Sequence, residues 1–140
     1  MKKFGMLAFA PIVAALVVAP AQADPARDGI LSGFATATKA ANPAFSGFSA
    51  KRGESLFRTK HVGGKPKTPT CTSCHTKSPS STGQTRAGKP IEPMAVSKTP
   101  TRFTDPKKVA KWFRRNCKSV LGRECTSLEK GDFITYMLGQ

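Results

Sequence analysis

Cys71-Thr72-Ser73-Cys74-His75 restricts this chain more than any other feature. Two thiols three residues apart, followed at once by an imidazole, form the signature of covalent c-type haem attachment. Each thiol can add to one vinyl group of the porphyrin, and the adjacent imidazole can then lie under the iron as its proximal ligand. A bare C-x-x-C also fits half of a zinc site or a redox dithiol. Zinc would want a second ligand pair, and Cys117 and Cys125 have no metal-ligand spacing between them. A thioredoxin-like dithiol would want a strand before it and a helix after it, whereas Thr68-Pro69-Thr70 and Ser78-Pro79-Ser80 flank this one. Export, the immediate His75 and the long surrounding loop all favour haem.

The export signal stands at the N-terminus. Met1-Lys2-Lys3 precedes an apolar run from Phe4 to Val18, and Ala19-Pro20-Ala21-Gln22-Ala23 supplies small residues for cleavage. This order predicts a Sec signal peptide over residues 1–23, cut after Ala23. A membrane anchor fits less well, because Pro11 interrupts the run and no basic stop-transfer flank follows. Of 140 residues, 117 would remain as one domain, 24–140, in a compartment that permits disulfides. A bacterial periplasm is the expected destination.

The elements expected in the mature chain are helices and loops. Ala26 to Ala41 reads as a helix with Ile30, Leu31 and Phe34 on one side, stopped by Asn42-Pro43. A second helix runs from about Ser49 to Lys60, with Gly53, Leu56 and Phe57 on one face. His61 to about Thr104 shows neither period, and a loop of that length usually carries function or wraps something. Asp105-Pro106 opens a helix to about Asn116 that turns Val109, Trp112 and Phe113 inward. Thr126-Ser127-Leu128-Glu129 is a capping box, and Phe133, Ile134, Met137 and Leu138 stripe the last helix. No strand is expected. The fold class is all-α and class I cytochrome c-like: three to four helices and long loops wrapping one covalent haem c. Gly53 and Phe57 should pack against Phe133, Tyr136 and Met137 as a helix pair beside the porphyrin.

The second axial ligand decides what such a haem does, because ligand identity and distal access separate electron transfer from gas binding. Met94 lies 19 residues after His75 in a proline-rich loop, a common source of the sixth ligand. Met137 reads as packing on the last helix. His61 would give a bis-histidine centre but reads more simply as an exposed loop histidine.

Further motifs carry a resemblance. They are Arg52-Gly53, Gly63-Gly64-Lys65-Pro66, Thr68 to His75, Gly83 to Lys89, Arg102-Phe103-Thr104-Asp105, and the run from Lys111 to Thr126. With these the chain resembles the SHP cytochromes, small monohaem c-type proteins, over nearly its whole mature length. The resemblance implies a sixth ligand from the asparagine directly before a cysteine in a short disulfide, here Asn116 with Cys117–Cys125. It also implies that this weak ligand leaves on reduction and exposes the iron to oxygen, nitric oxide and similar small molecules. Two cysteines left over after haem attachment, in an exported chain, agree with the bridge. A bridge over so short a loop contributes about 2–3 kcal/mol and stiffens the segment, which a poor ligand requires. Met94 is a departure from one member of the family, which resembles this chain but has an apolar residue without sulfur there; its thioether could compete for the distal site.

Charge completes the picture. The chain carries 23 Lys and Arg against 8 Asp and Glu, a formal +15 that becomes +13 once Lys2 and Lys3 are removed. Outside the cytoplasm that argues against nucleic acid. Lys51, Arg52, Arg58, Lys60, Lys65 and Lys67 form one basic group, and Lys107, Lys108, Lys111, Arg114, Arg115 and Lys118 a second. Both would steer an acidic partner or an anionic membrane surface. The resemblance implies a di-haem cytochrome c as that partner, and Arg86 or Lys89 is a candidate for the haem propionates. Two functions follow: a gas-binding haem protein fed by a redox partner, or a simple electron carrier with Met94 on the iron. Either fits a carrier or gas binder better than a dedicated enzyme.

Overall fold

The computed structural model describes residues 23–140, so the expected signal peptide lies, but for Ala23, outside them. Asp24 opens the first helix, α1 (Pro25–Ala41): its carboxylate accepts from the N–H groups of Ala26 and Arg27, and Pro25 takes the first helical position. Asn42 ends α1 as expected. The second helix, α2 (Ala50–Arg58), begins on a Ser49 cap and stops at Thr59, slightly inside the expected bounds.

The expected loop holds more order than its composition suggests. One turn of helix, α3 (Thr72–His75), carries the attachment motif. A two-residue antiparallel pair follows, β1 (Gly83–Gln84) against β2 (Pro90–Ile91), with Gly83 opposite Ile91. These two additions correct the expectation of a strandless chain with three to four helices. Both are too short to show a period.

The fourth helix, α4 (Pro106–Leu121), starts on the Asp105 cap but runs five residues past the expected end at Asn116. Val109, Phe113, Cys117 and Val120 form its buried stripe, and the last two carry burial on beyond Asn116. Gly122, at φ +74°, then ends it in the left-handed conformation that glycine adopts freely. Trp112 is corrected too. It is 48% exposed, because the buried stripe passes beside it. The last helix, α5 (Ser127–Leu138), opens on the capping box, with Thr126 and Glu129 each bonded to the other's backbone.

α2 and α5 cross at backbone contact. A Cβ on Gly53 would lie 2.0 Å from the Asp132 carbonyl oxygen, so only glycine permits the approach. Beside it Arg52 Nε reaches the buried Asp132 carboxylate at 2.6 Å, and the Ser49 N–H donates to the same group at 2.7 Å. Phe133 is the hub of the core. Its ring meets Phe57 at 6.1 Å, Phe103 at 6.2 Å and Phe113 at 5.5 Å, all edge-on. Phe34 of α1 joins through Phe113 at 6.3 Å. The helix pair expected from Gly53, Phe57, Phe133 and Tyr136 is therefore the centre of the fold.

Candidate haem-attachment site

The motif turn is delivered by the loop before it. Gly64 packs so closely on the end of α4 that a Cβ would meet the Ser119 carbonyl oxygen at 2.3 Å. The Lys65 N–H donates to that carbonyl at 2.7 Å, and the Thr68 and Ser119 hydroxyls lie 2.9 Å apart. The Lys65 N–H and the Thr68 hydroxyl thus satisfy the Ser119 carbonyl, one of those a helix end leaves without an intrahelical partner. These bonds also fix Thr68, three residues before Cys71, against Ser119, three residues after Asn116.

Cys71 at the cap of α3 and Cys74 within it carry half-buried thiols that are free among the described residues. Burial pushes the Cys71 thiol up to about 11, so it is held protonated. The His75 imidazole is lowered to about 4, first by burial and then by the positive charge of Arg102. It is therefore neutral at physiological pH, the form that ligates a metal. Its Nδ1 is buried without a hydrogen-bond partner among the described residues. Two unpaired thiols and a neutral, underused imidazole on one helical turn suit haem c, with the thiols as attachment points and His75 as proximal ligand.

The flanking loops press on this turn. A Cβ at Gly83 would lie 2.2 Å from the Cys74 carbonyl oxygen, so the β1–β2 hairpin is docked against α3. Arg86 is exposed in the turn of that hairpin, and Lys89 follows it, also exposed. The Pro79 carbonyl accepts from the N–H groups of Met94 and Ala95, which pins the Met94 loop beside the motif. Met94 is buried and belongs to the apolar core with Phe113, Phe133 and Met137. Asn116 is exposed on α4. Directly behind it, the sulfurs of Cys117 and Cys125 stand at bonding distance, 1.99 Å. His61 is half-buried rather than exposed, and its Nε2 lies 3.1 Å from the Leu56 carbonyl oxygen.

Residue patterns missed a second tier. Arg102 is half-buried and spans from His75 to the Met94 loop, donating to the Pro93 carbonyl at 3.0 Å and the Glu92 carbonyl at 2.5 Å. Buried Arg27 of α1 in turn donates to the Arg102 carbonyl at 3.0 Å and to the Pro100 carbonyl. Phe103, next in the chain, sits at φ +62°, a strained position for so bulky a side chain. The sole sequence signal for Arg102 and Phe103 was their place in the quoted resemblance.

Comparison with known proteins agrees with this geometry. The family described as domain of unknown function DUF1924 matches residues 43–137. The cytochrome c-type protein SHP of Cereibacter sphaeroides is 45% identical over 92% of this chain and 96% of its own length. Cytochrome c'' of Methylophilus methylotrophus is 37% identical over 70% of this chain and 69% of its own. The solved structure of oxidized SHP, described as an oxygen-binding cytochrome c, superposes with a TM-score of 0.74 and 43% identity, covering 81% of this chain and 96% of that one. Oxidized cytochrome c'' gives a TM-score of 0.71 at 31% identity, covering 82% and 94%.

Proposed function

This chain belongs to the DUF1924 family and is a haem c cytochrome related to SHP and cytochrome c'', and we propose that it binds diatomic gases at its reduced haem and exchanges electrons with a redox partner. When bound, haem c supplies a redox-active iron that accepts axial ligands and, once reduced, gases such as oxygen and nitric oxide. Cys71 and Cys74 would hold it covalently and His75 would ligate its iron, with Asn116 as a weak, displaceable second ligand.

The observation that carries the reading is the position of Asn116. Its amide is exposed on α4, immediately before the Cys117–Cys125 pair and one turn before the Ser119–Thr68 contact that leads to Cys71. A short bridge closing eight residues stiffens the helix end by about 2–3 kcal/mol. A stiff support is what an amide ligand needs, since it binds iron too weakly to order a mobile loop. The alternative is a simple electron carrier with Met94 as a stable sixth ligand. Met94 has a packing role of its own in the core, while two hydrogen bonds to the Pro79 carbonyl keep its loop beside the motif, so spectra must separate the two ligands.

Around this centre the remaining roles are docking and location. Lys51, Lys60, Lys65 and Lys67 are exposed, as are the basic residues of α4, and the loop carrying Lys65 is bonded to Ser119 beside Lys118. The two basic groups meet there and suit an acidic partner such as a di-haem cytochrome c, or peripheral contact with an anionic membrane. Arg86 is assigned to a haem propionate. Cleavage after Ala23 would leave the α1 cap, Asp24, as the first residue of a periplasmic domain 24–140.

The dithionite-reduced spectrum tests the reading. A high-spin spectrum that sharpens on adding CO is expected. A low-spin spectrum indifferent to CO would instead favour the plain carrier. Asn116→Ala should abolish the oxidised low-spin signature, while Met94→Ala should leave it in place. The reverse result assigns the ligand to Met94.

A further inference from the structure

We propose that Trp112 forms the side wall of the distal site next to Asn116 and controls how fast a small ligand enters and leaves. This rests on the reading of Asn116 as the displaceable ligand.

The argument begins with helical register. Trp112, Asn116 and Ser119 stand at i, i+4 and i+7, so they make one stripe along α4. That stripe runs along the border of the buried row of Val109, Phe113, Cys117 and Val120. Its far end, Ser119, is bonded to Thr68 just before the attachment cysteines. The Ser119 end of the stripe therefore faces the segment that delivers Cys71, Cys74 and His75, and helical register puts Asn116 and Trp112 on the same side of α4. A residue one turn before the ligand shares the ligand's side of the porphyrin.

Side-chain chemistry points the same way. Trp112 is the one tryptophan of the chain and is 48% exposed on a helix otherwise studded with lysine and arginine. Lys111 Nζ and Arg115 Cζ lie 5.2 and 5.3 Å from its ring, a cation–π bracket that limits the directions the indole can take. Held on that side of α4, a flat apolar ring would exclude water from the ligand position and narrow access to it. Steric access and polarity on the distal side are what set gas binding at a haem. Small apolar diatomics pass such a wall more easily than hydrated anions.

The test uses the haem-loaded, reduced protein with CO as the probe. In the diamagnetic CO form the porphyrin ring current should move the indole protons of Trp112 well away from the shifts of an exposed tryptophan. Because the chain has one tryptophan, those resonances need no mutant to be assigned. Trp112→Ala should change the CO association rate about tenfold, and Trp112→Phe less than about threefold. Indole shifts typical of an exposed ring, or association and dissociation rates in Trp112→Ala within about twofold of the parent, overturn the proposal. Should Trp112→Ala fail to fold, the parent spectrum and Trp112→Phe decide. A parent protein that binds no CO when reduced overturns both this proposal and the gas-binding reading. CO binding with the alanine variant unaltered overturns this proposal alone.

Discussion

A Cβ at Gly53 would lie 2.0 Å from the carbonyl oxygen of Asp132 and 2.9 Å from the Cβ of Tyr136. One methyl group there must push α2 away from α5, and with it the Phe57, Phe133 and Tyr136 rings that centre the core. Gly53→Ala should therefore cost about 1–3 kcal/mol, more than its gain in helix propensity returns. Urea unfolding of the haem-loaded protein should show a lower midpoint with an unchanged slope. A midpoint equal to the parent's would mean that the helices part without loss. Gly53 was legible in the sequence because its neighbours Leu56 and Phe57 mark the same face. Arg27 was not. Its burial depends on carbonyls more than seventy residues away, and an arginine in the first turns of an amphipathic helix otherwise reads as solvated. Asn116 likewise looks like any polar helical residue, and only the resemblance singled it out.

At the scale of elements, the caps were the most readable features, because a cap is local chemistry within four residues. Asp105-Pro106 and Thr126 to Glu129 stand where expected. The end of α4 was misread for the opposite reason: its continuation depends on Cys117 and Val120 finding a core, which no local pattern reports. The α5 capping box gives a prediction with a pH signature. The Thr126 hydroxyl accepts the Glu129 N–H at 3.1 Å, and Thr126→Ala should cost about 1 kcal/mol. Glu129 also receives both terminal nitrogens of Arg123, at 2.8 and 2.7 Å. The hydrogen bonds to Arg123 are the largest cause holding its carboxyl below the ordinary 4.5. A depressed carboxyl contributes stability that is fully present above 4.5 and lost as pH falls through the folded value. Thermal melting of Glu129→Gln should thus differ most from the parent at neutral pH and converge with it in acid. A difference that stays constant into acid would show that Glu129 does not titrate in this window.

For the whole molecule the large term is charge. Residues 23–140 carry +13, and the pairs of Arg52 with Asp132, Arg58 with Glu54 and Lys108 with Asp105 occupy only a few of the cations. Arg123 is paired with Glu129, Arg27 is buried and Arg102 half-buried, but most of the remaining cations stand exposed, densest along α4 and the loop bonded to its end. A field of that sign costs some stability by self-repulsion, so its retention is better explained by what it attracts. An acidic electron donor would be steered to the face that also carries Trp112 and Asn116, which shortens the path for the electron. Steering acts over roughly the Debye length, about 30 Å at 0.01 M salt and 8 Å at 0.15 M. The second-order rate of reduction by an acidic di-haem cytochrome c should therefore fall about tenfold or more across that range. Position matters as well as total charge. Reversing Lys111 or Arg115 to Glu should slow reduction several-fold at low salt, whereas reversing Lys39 on α1 should change it little, although each removes two units of charge. Stopped-flow reduction at two salt concentrations separates the cases. Equal losses for all three reversals would mean that net charge alone acts and that α4 is no docking face. A rate indifferent to salt would remove the acidic partner altogether and leave the cations to a membrane surface, where vesicles of anionic lipid should then retain the protein.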